Sequence, residues 1–115
     1  MSEQPLDGIR VIELAQGIAG PWAGRLLAGF GADVIKVEPP EGDRSRTLGP
    51  FPAAEQHPEP GALHLHLNTG KRSIVGRVGD PLVDRLIASA DAVLQSDVDV
   101  DPDTVEEDHP GLVLV

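Results

Sequence analysis

Four stretches of the chain carry residue types whose spacing could do chemistry. An apolar run, Ile9 to Leu14, leads into Gly17-Ile-Ala-Gly20-Pro21, a small-residue loop that opens a helix. A loop in that position can turn backbone N–H groups toward a phosphate. Glu38 follows at the distance where a dinucleotide site places an acid on a ribose hydroxyl, so NAD binding is one reading. The spacing is not G-x-G-x-x-G, however, and Pro21 removes an N–H where a pyrophosphate needs one. A purely structural strand-turn-helix corner is the other reading. Further on, Lys71-Arg72 forms a basic pair after Gly70, suited to a phosphate or, equally, to guarding an edge strand against aggregation. His64 and His66 alternate on an expected strand and would share one face, as two metal ligands do. No third ligand lies near them in sequence, and solvent-facing histidines are the simpler reading. Asp97 to Asp108 has oxygens at alternate positions, as in a calcium loop. Pro102 stands where the sharp turn takes Gly, and Asp108 where a bidentate Glu is usual, so a solvated acidic loop is expected.

The elements that must position these residues can be read from period and punctuation. Ile9 to Leu14 suits a parallel strand with Glu13 inside it. Pro21 to Phe30 reads as a helix: Pro is favoured in a first turn, and Trp22, Leu26, Leu27 and Phe30 are available for one buried stripe. Gly31 follows where a left-handed C-cap is needed. Asp33 to Val37 is the second strand. Residues 38–62 hold six prolines and three glycines and are expected to form a long irregular loop. Leu63 to Leu67 alternates Leu and His like a strand, Asn68-Thr-Gly70 carries turn chemistry, and Lys71 to Val78 reads as strand. Asp80-Pro81 caps a helix through Ala90. Ala92 to Leu94, Asp103 to Asp108 and Leu112 to Val115 complete the pattern as strand, helix and strand. Alternation of this kind gives an α/β fold with a Rossmann-like parallel sheet. A last strand with nothing after it to cover or extend the sheet suggests an interrupted domain.

Composition narrows the functional classes. With 115 residues, 40% of them apolar, the chain is one domain or part of one. Two Phe, one Trp and no Tyr make the core aliphatic. The absence of cysteine excludes disulfides, a thiol nucleophile and a Cys-type zinc site, and fits a cytoplasmic protein. No apolar run approaches a membrane span, and the start, MSEQPLDG, lacks the basic and apolar regions of a secretory signal. The net charge is −10, and residues 91–115 hold eight of the nineteen acids and none of the nine Lys and Arg. That balance disfavours nucleic acid as a partner.

The stretch PLDGIRVIELAQGIAGPWAGRLLAGFGADVIKVEPPEGD, Pro5 to Asp43, resembles the N-terminal segment of the family III CoA transferases, a group that includes α-methylacyl-CoA racemases. The likeness resumes at LHLNTGKRSI, Leu65 to Ile74, and continues more weakly through LIASADAVLQ and HPGLVLV. The resemblance implies the N-terminal part of the large domain of such an enzyme. Residues 1–115 would form a single, incomplete domain, with the 38–62 loop inside it. It implies a CoA thioester as substrate, no tightly bound cofactor, and either a homodimer or a C-terminal partner segment. It also implies CoA contacts at Ile18 and Ala19, near Pro39, and at Gly76 to Gly79, Arg77 among them, with Lys71 and Arg72 nearby.

A further contact loop follows the fourth strand. There the family usually has Glu-Asn-Phe-Arg, and this chain has Gln95-Ser96-Asp97-Val98. An aromatic and a cation are lost, and Asp97, Asp99 and Asp101 would repel CoA phosphates. The family's chemistry is acyl transfer through an aspartyl mixed anhydride, or proton exchange by His and Asp in the racemases. Both residue sets lie beyond the point that matches Val115. The resemblance therefore implies one wall of a CoA site, no catalytic residue and no metal ligand in this chain, and no turnover by the chain alone. A non-catalytic assembly or regulatory module with a degenerate CoA site is the alternative reading.

Overall fold

The computed structural model describes residues 3–48, 61–96 and 100–115. Five strands, β1 (Arg10–Leu14), β2 (Asp33–Glu38), β3 (Arg72–Val75), β4 (Ala92–Gln95) and β5 (Val113–Leu114), form one sheet in the order β3-β2-β1-β4-β5. Every neighbouring pair is parallel. Helices α1 (Ala19–Gly29), α2 (Ala62–Leu67), α3 (Pro81–Ala88) and α4 (Pro102–Asp108) connect them. The order reverses between β1 and β4, so the chain winds outward in both directions from that seam, as in a Rossmann-like fold.

Strand alternation divides the core into two layers. Ile12, Leu14, Ile35, Val37 and Val93 face α3, where Val83 and Ile87 complete one cluster. Val11, Val34 and Leu94 face the other way, against Ala23, Leu27 and Ala28 of α1. On this second face the pattern changes toward the carboxyl ends of the strands. Val11 is followed at the next inward position by Glu13, and Val34 by Lys36 and Glu38, all buried.

The elements from β1 to β2 follow the sequence expectation with small shifts, but the buried stripe does not. Of Trp22, Leu26, Leu27 and Phe30 only Leu27 packs on the core, because the other three lie four residues apart on a line that faces outward. α1 begins at Ala19 rather than Pro21, which places Pro21 in the first turn, where its missing N–H breaks no helical bond. Gly31 has φ +102° and donates its N–H to Ala28 O, a left-handed stop that a Cβ would strain. β2 then starts two residues later.

Two further expectations are corrected. Ala62–Leu67 is helical, not extended. Leu-His alternation over five residues also satisfies a short helix. The helical turn buries His64 with Leu67, while Leu65 and His66 face outward. Asn68 closes the helix by donating its side-chain amide to His64 O at 2.8 Å. The strand expected over Lys71 to Val78 is shorter: the Gly76 N–H still reaches Glu38 O, but Asp80 then accepts from the Arg77 N–H and turns the chain into α3. Of the long loop expected over 38–62, the described part contains a 3-10 turn, Arg44–Thr47. Its Pro50, Pro52, Pro58 and Pro60 lie outside the described residues.

Candidate functional site: the carboxyl edge of the sheet

In a doubly wound sheet, the loops after the strands splay apart at the seam where the strand order reverses, and a ligand enters that crevice. Here the loop after β1 forms one side and the residues after β4 the other. They touch through the Gln16 N–H, which donates to Ser96 Oγ at 3.1 Å. Gly17, with φ +84°, turns its N–H to Asp43 Oδ1 at 3.1 Å. A Cβ at Gly17 would meet the Arg44 guanidinium at 2.8 Å, so glycine serves both the turn and the close approach. Arg44 is tied back in turn, its N–H donating to Gln16 Oε1 at 3.2 Å. The loop after β1 is thus fastened to the loop after β2.

Behind this loop lies a buried group of four charges. Glu13 and Lys36 are direct partners across β1 and β2. The Lys36 ammonium meets Glu13 Oε2 at 2.9 Å, Asp43 Oδ2 at 2.7 Å and Ala15 O at 3.0 Å. The Lys71 ammonium meets Glu13 Oε1 at 2.7 Å, Pro21 O at 2.8 Å and Asn68 Oδ1 at 2.8 Å. All four side chains are 0–1% exposed. Each ammonium makes two hydrogen bonds and one further ion-pair contact at 2.7 Å, and two carboxylates balance two ammoniums. That is the condition under which buried charge is tolerated.

Burial alone would push the Asp43 carboxyl up. The Lys36 ammonium and the N–H groups of Ser45 and Gly17 outweigh it and hold its pKa at about 2. For Lys71, burial outweighs the pull of Glu13 and moves its pKa down. A second layer continues outward. Glu38 is buried, which pushes its carboxyl up, but Arg46 holds it bidentately at 2.8 Å and the Asp43 N–H donates to it, so the net shift is down. His64 hydrogen-bonds Ser45 Oγ at 3.0 Å, and burial, with Arg46 nearby, favours its neutral form. An open cleft of about 400 Å³ lies beside this layer, lined by Glu38, Arg46, His64 and Ser73 among others.

The residues expected at a ligand divide into two groups. Ile18 and Ala19 are exposed at the start of α1, and Pro39, Gly76 and Arg77 lie together at the carboxyl ends of β2 and β3. Arg77 is exposed and pairs with Glu41 at 2.7 Å. Lys71 and Arg72, expected as a phosphate pair, part company. Lys71 turns inward, pairs with Glu13 and donates to Pro21 O and Asn68 Oδ1. Arg72 reaches Asp33 at 2.6 Å, at the amino end of β2, away from the crevice. Alternation along an extended chain sends neighbouring side chains to opposite faces.

His64 and His66 are separated as well. His64 is buried against Ser45, while His66 is exposed and stacks on Trp22 with ring centroids 5.9 Å apart. Asp97 and Asp99 lie outside the described residues. Asp101 caps α4, accepting from the Asp103 N–H at 3.2 Å and from Thr104 Oγ at 2.7 Å. Sequence reasoning missed Asp43, Arg44, Ser45 and Arg46 altogether. The available signal was Glu13 and Lys36, two charges at inward positions of strands buried on both faces.

The family model for CoA-transferase family III matches residues 6–115. The chain belongs to CoA-transferase family III. It is 52% identical over 99 residues to a succinate–glutarate CoA-transferase of Agrobacterium fabrum, covering 80% of this chain and 25% of that protein. It is 36% identical over 120 residues to a succinyl-CoA:mesaconate CoA-transferase of Haloarcula marismortui, covering 94% of this chain and 30% of that protein. Among solved structures, a CAIB/BAIF family protein from Brucella suis superimposes with a TM-score of 0.83 at 40% identity, over 98% of this chain and 33% of that one. The chain thus spans a quarter to a third of the length of these family III relatives. Among the described residues, no helix is long and apolar enough to cross a membrane.

Proposed function

We propose that this chain supplies the CoA-facing wall of a family III CoA-transferase that moves CoA between carboxylic acids in acyl-CoA metabolism. Ile18 and Ala19 would border the thioester-bearing arm, and Pro39, Gly76 and Arg77 the nucleotide end, with a CoA thioester as substrate. Lys71 would act indirectly, by holding Glu13 and the start of α1 in place, and Arg72 would stand outside the site. The attacking carboxylate and the rest of the pocket would come from the part of the family III fold that this chain does not match. The functional assembly would be a dimer or a complex with such a segment, in the cytoplasm, where acyl-CoA thioesters are used.

One observation carries the reading: a rigid, fastened loop after β1 stands at the seam where the sheet order reverses, in a chain 52% identical to a CoA-transferase. The transferase names of the relatives favour this over a non-catalytic module. The test is calorimetric titration of CoA into the chain, alone and together with polypeptide matching the remainder of the Agrobacterium relative. Saturable heat is expected, reduced at least tenfold by Ile18→Glu, which sets a carboxylate against the ligand. No heat in either setting would overturn the reading.

A further inference from the structure

The outward face of α1 has the wrong chemistry for solvent. Ile18, Trp22, Leu26 and Phe30 recur every fourth residue, so they form a line along the helix. Their exposures are 59%, 43%, 46% and 54%. The opposite face is already used: Pro21 and Gly24 are buried and Ala23, Leu27 and Ala28 pack on the core. Arg25 is the one charged residue of the helix, and it lies over the Trp22 ring at 5.5 Å. α2, which meets α1 through the Trp22–His66 stack, adds Leu65, 55% exposed. A helix that is apolar all round is a buried helix, and a surface helix carries polar residues on its outer face.

We infer that the stripe from Trp22 to Phe30, with Leu65, is an internal seam of the family fold, covered by the body of a family III subunit that lies outside the matched third, with Ile18 left at its ligand-facing end. The inference rests on the assembly proposed above and names its surface. Two observations select this occupant over a second copy of the chain. The relatives carry two-thirds to three-quarters of their length outside the region matched here. The area also argues against a second copy: four half-exposed apolar side chains amount to roughly 250–350 Å², well below the ~800 Å² per partner of a stable interface. A body belonging to the same fold, held by its other contacts, needs no separate affinity for this patch.

The chain contains no cysteine, so Leu26→Cys and, at the far end of the stripe, Phe30→Cys each introduce a sole thiol. Each variant is expressed with polypeptide matching the remainder of the Agrobacterium relative, and maleimide labelling is followed by mass. Glu106→Cys on α4 reports on a polar face. A complex is expected in which labelling at positions 26 and 30 slows at least tenfold relative to the chain alone, while labelling at 106 is unchanged. A complex that labels at 26 and 30 as fast as the free chain overturns the inference and leaves the proposed assembly standing. Failure of the wild-type chain to form any complex overturns it too. So does concentration-dependent protection of the chain alone with a doubling of mass, which would make a second copy the occupant. CoA titration of the same samples reads the proposed function separately.

Discussion

Glu13 shows how a residue's identity at one site depends on partners far along the chain. It faces Lys36 across the sheet and Lys71 from the turn before β3, so its two oxygens serve two cations. Removing one partner from such a group leaves an odd buried charge, whereas removing a balanced pair does not. Glu13→Gln and Lys71→Met are each expected to destabilise the fold by about 3 kcal/mol in urea unfolding. The double variant, which keeps the neutral Lys36–Asp43 pair, should cost less than the sum of the two, by more than about 1 kcal/mol.

The titrating groups give a second prediction at this scale. His64 has a depressed pKa, so the unfolded chain takes up its proton first as pH falls, and stability drops below about pH 6.5. Asp43 is held at about 2, so its contribution is full above its unfolded value near 4 and is lost as pH falls through 2. The urea midpoint should therefore fall in two steps on acidification, and His64→Gln should remove the upper one while leaving the lower.

At the scale of the element, α1 has glycines with opposite meanings. Gly24 faces the sheet, where an added Cβ would overlap Glu13 Oε1 and press on Lys71, so α1 lies close only because that position has no side chain. Gly29, at the end of the same helix, has open space around it. Gly24→Ala is expected to destabilise by about 1–3 kcal/mol, although alanine is the better helix former. Gly29→Ala should gain up to about 1 kcal/mol. Urea unfolding of both variants reads the contrast, and equal effects would refute the close approach. β1, α1 and β2 were legible in the sequence because period, Pro and Gly signals act within one turn or one strand. α2 was not, because five residues of Leu and His satisfy either period and burial of His64 beside Ser45 decides between them. The parting of Lys71 from Arg72 was not legible for a related reason. Two adjacent cations look alike in sequence, and only their place at the start of a strand sends one to the core and the other to Asp33.

For the whole molecule, the core and the α1 stripe differ in what they contribute to the isolated chain. Ile12 is fully buried, and Ile12→Ala should cost about 2–5 kcal/mol. Leu26→Glu should change the unfolding free energy of the chain alone by less than about 0.5 kcal/mol, since half of that side chain already faces water. The sequence by itself determined the alternating α/β pattern, the strand-loop-helix-strand unit from β1 to β2 and the family, because these are written in local spacing and in a long specific motif. Only the tertiary structure decided that the carboxyl edge is braced by a neutral cluster of four buried charges, and that Lys71 is part of that brace. The physical reason is that a charged side chain's role is set by its surroundings. Those of Lys71 include a carbonyl fifty residues away, at Pro21, that no local pattern announces.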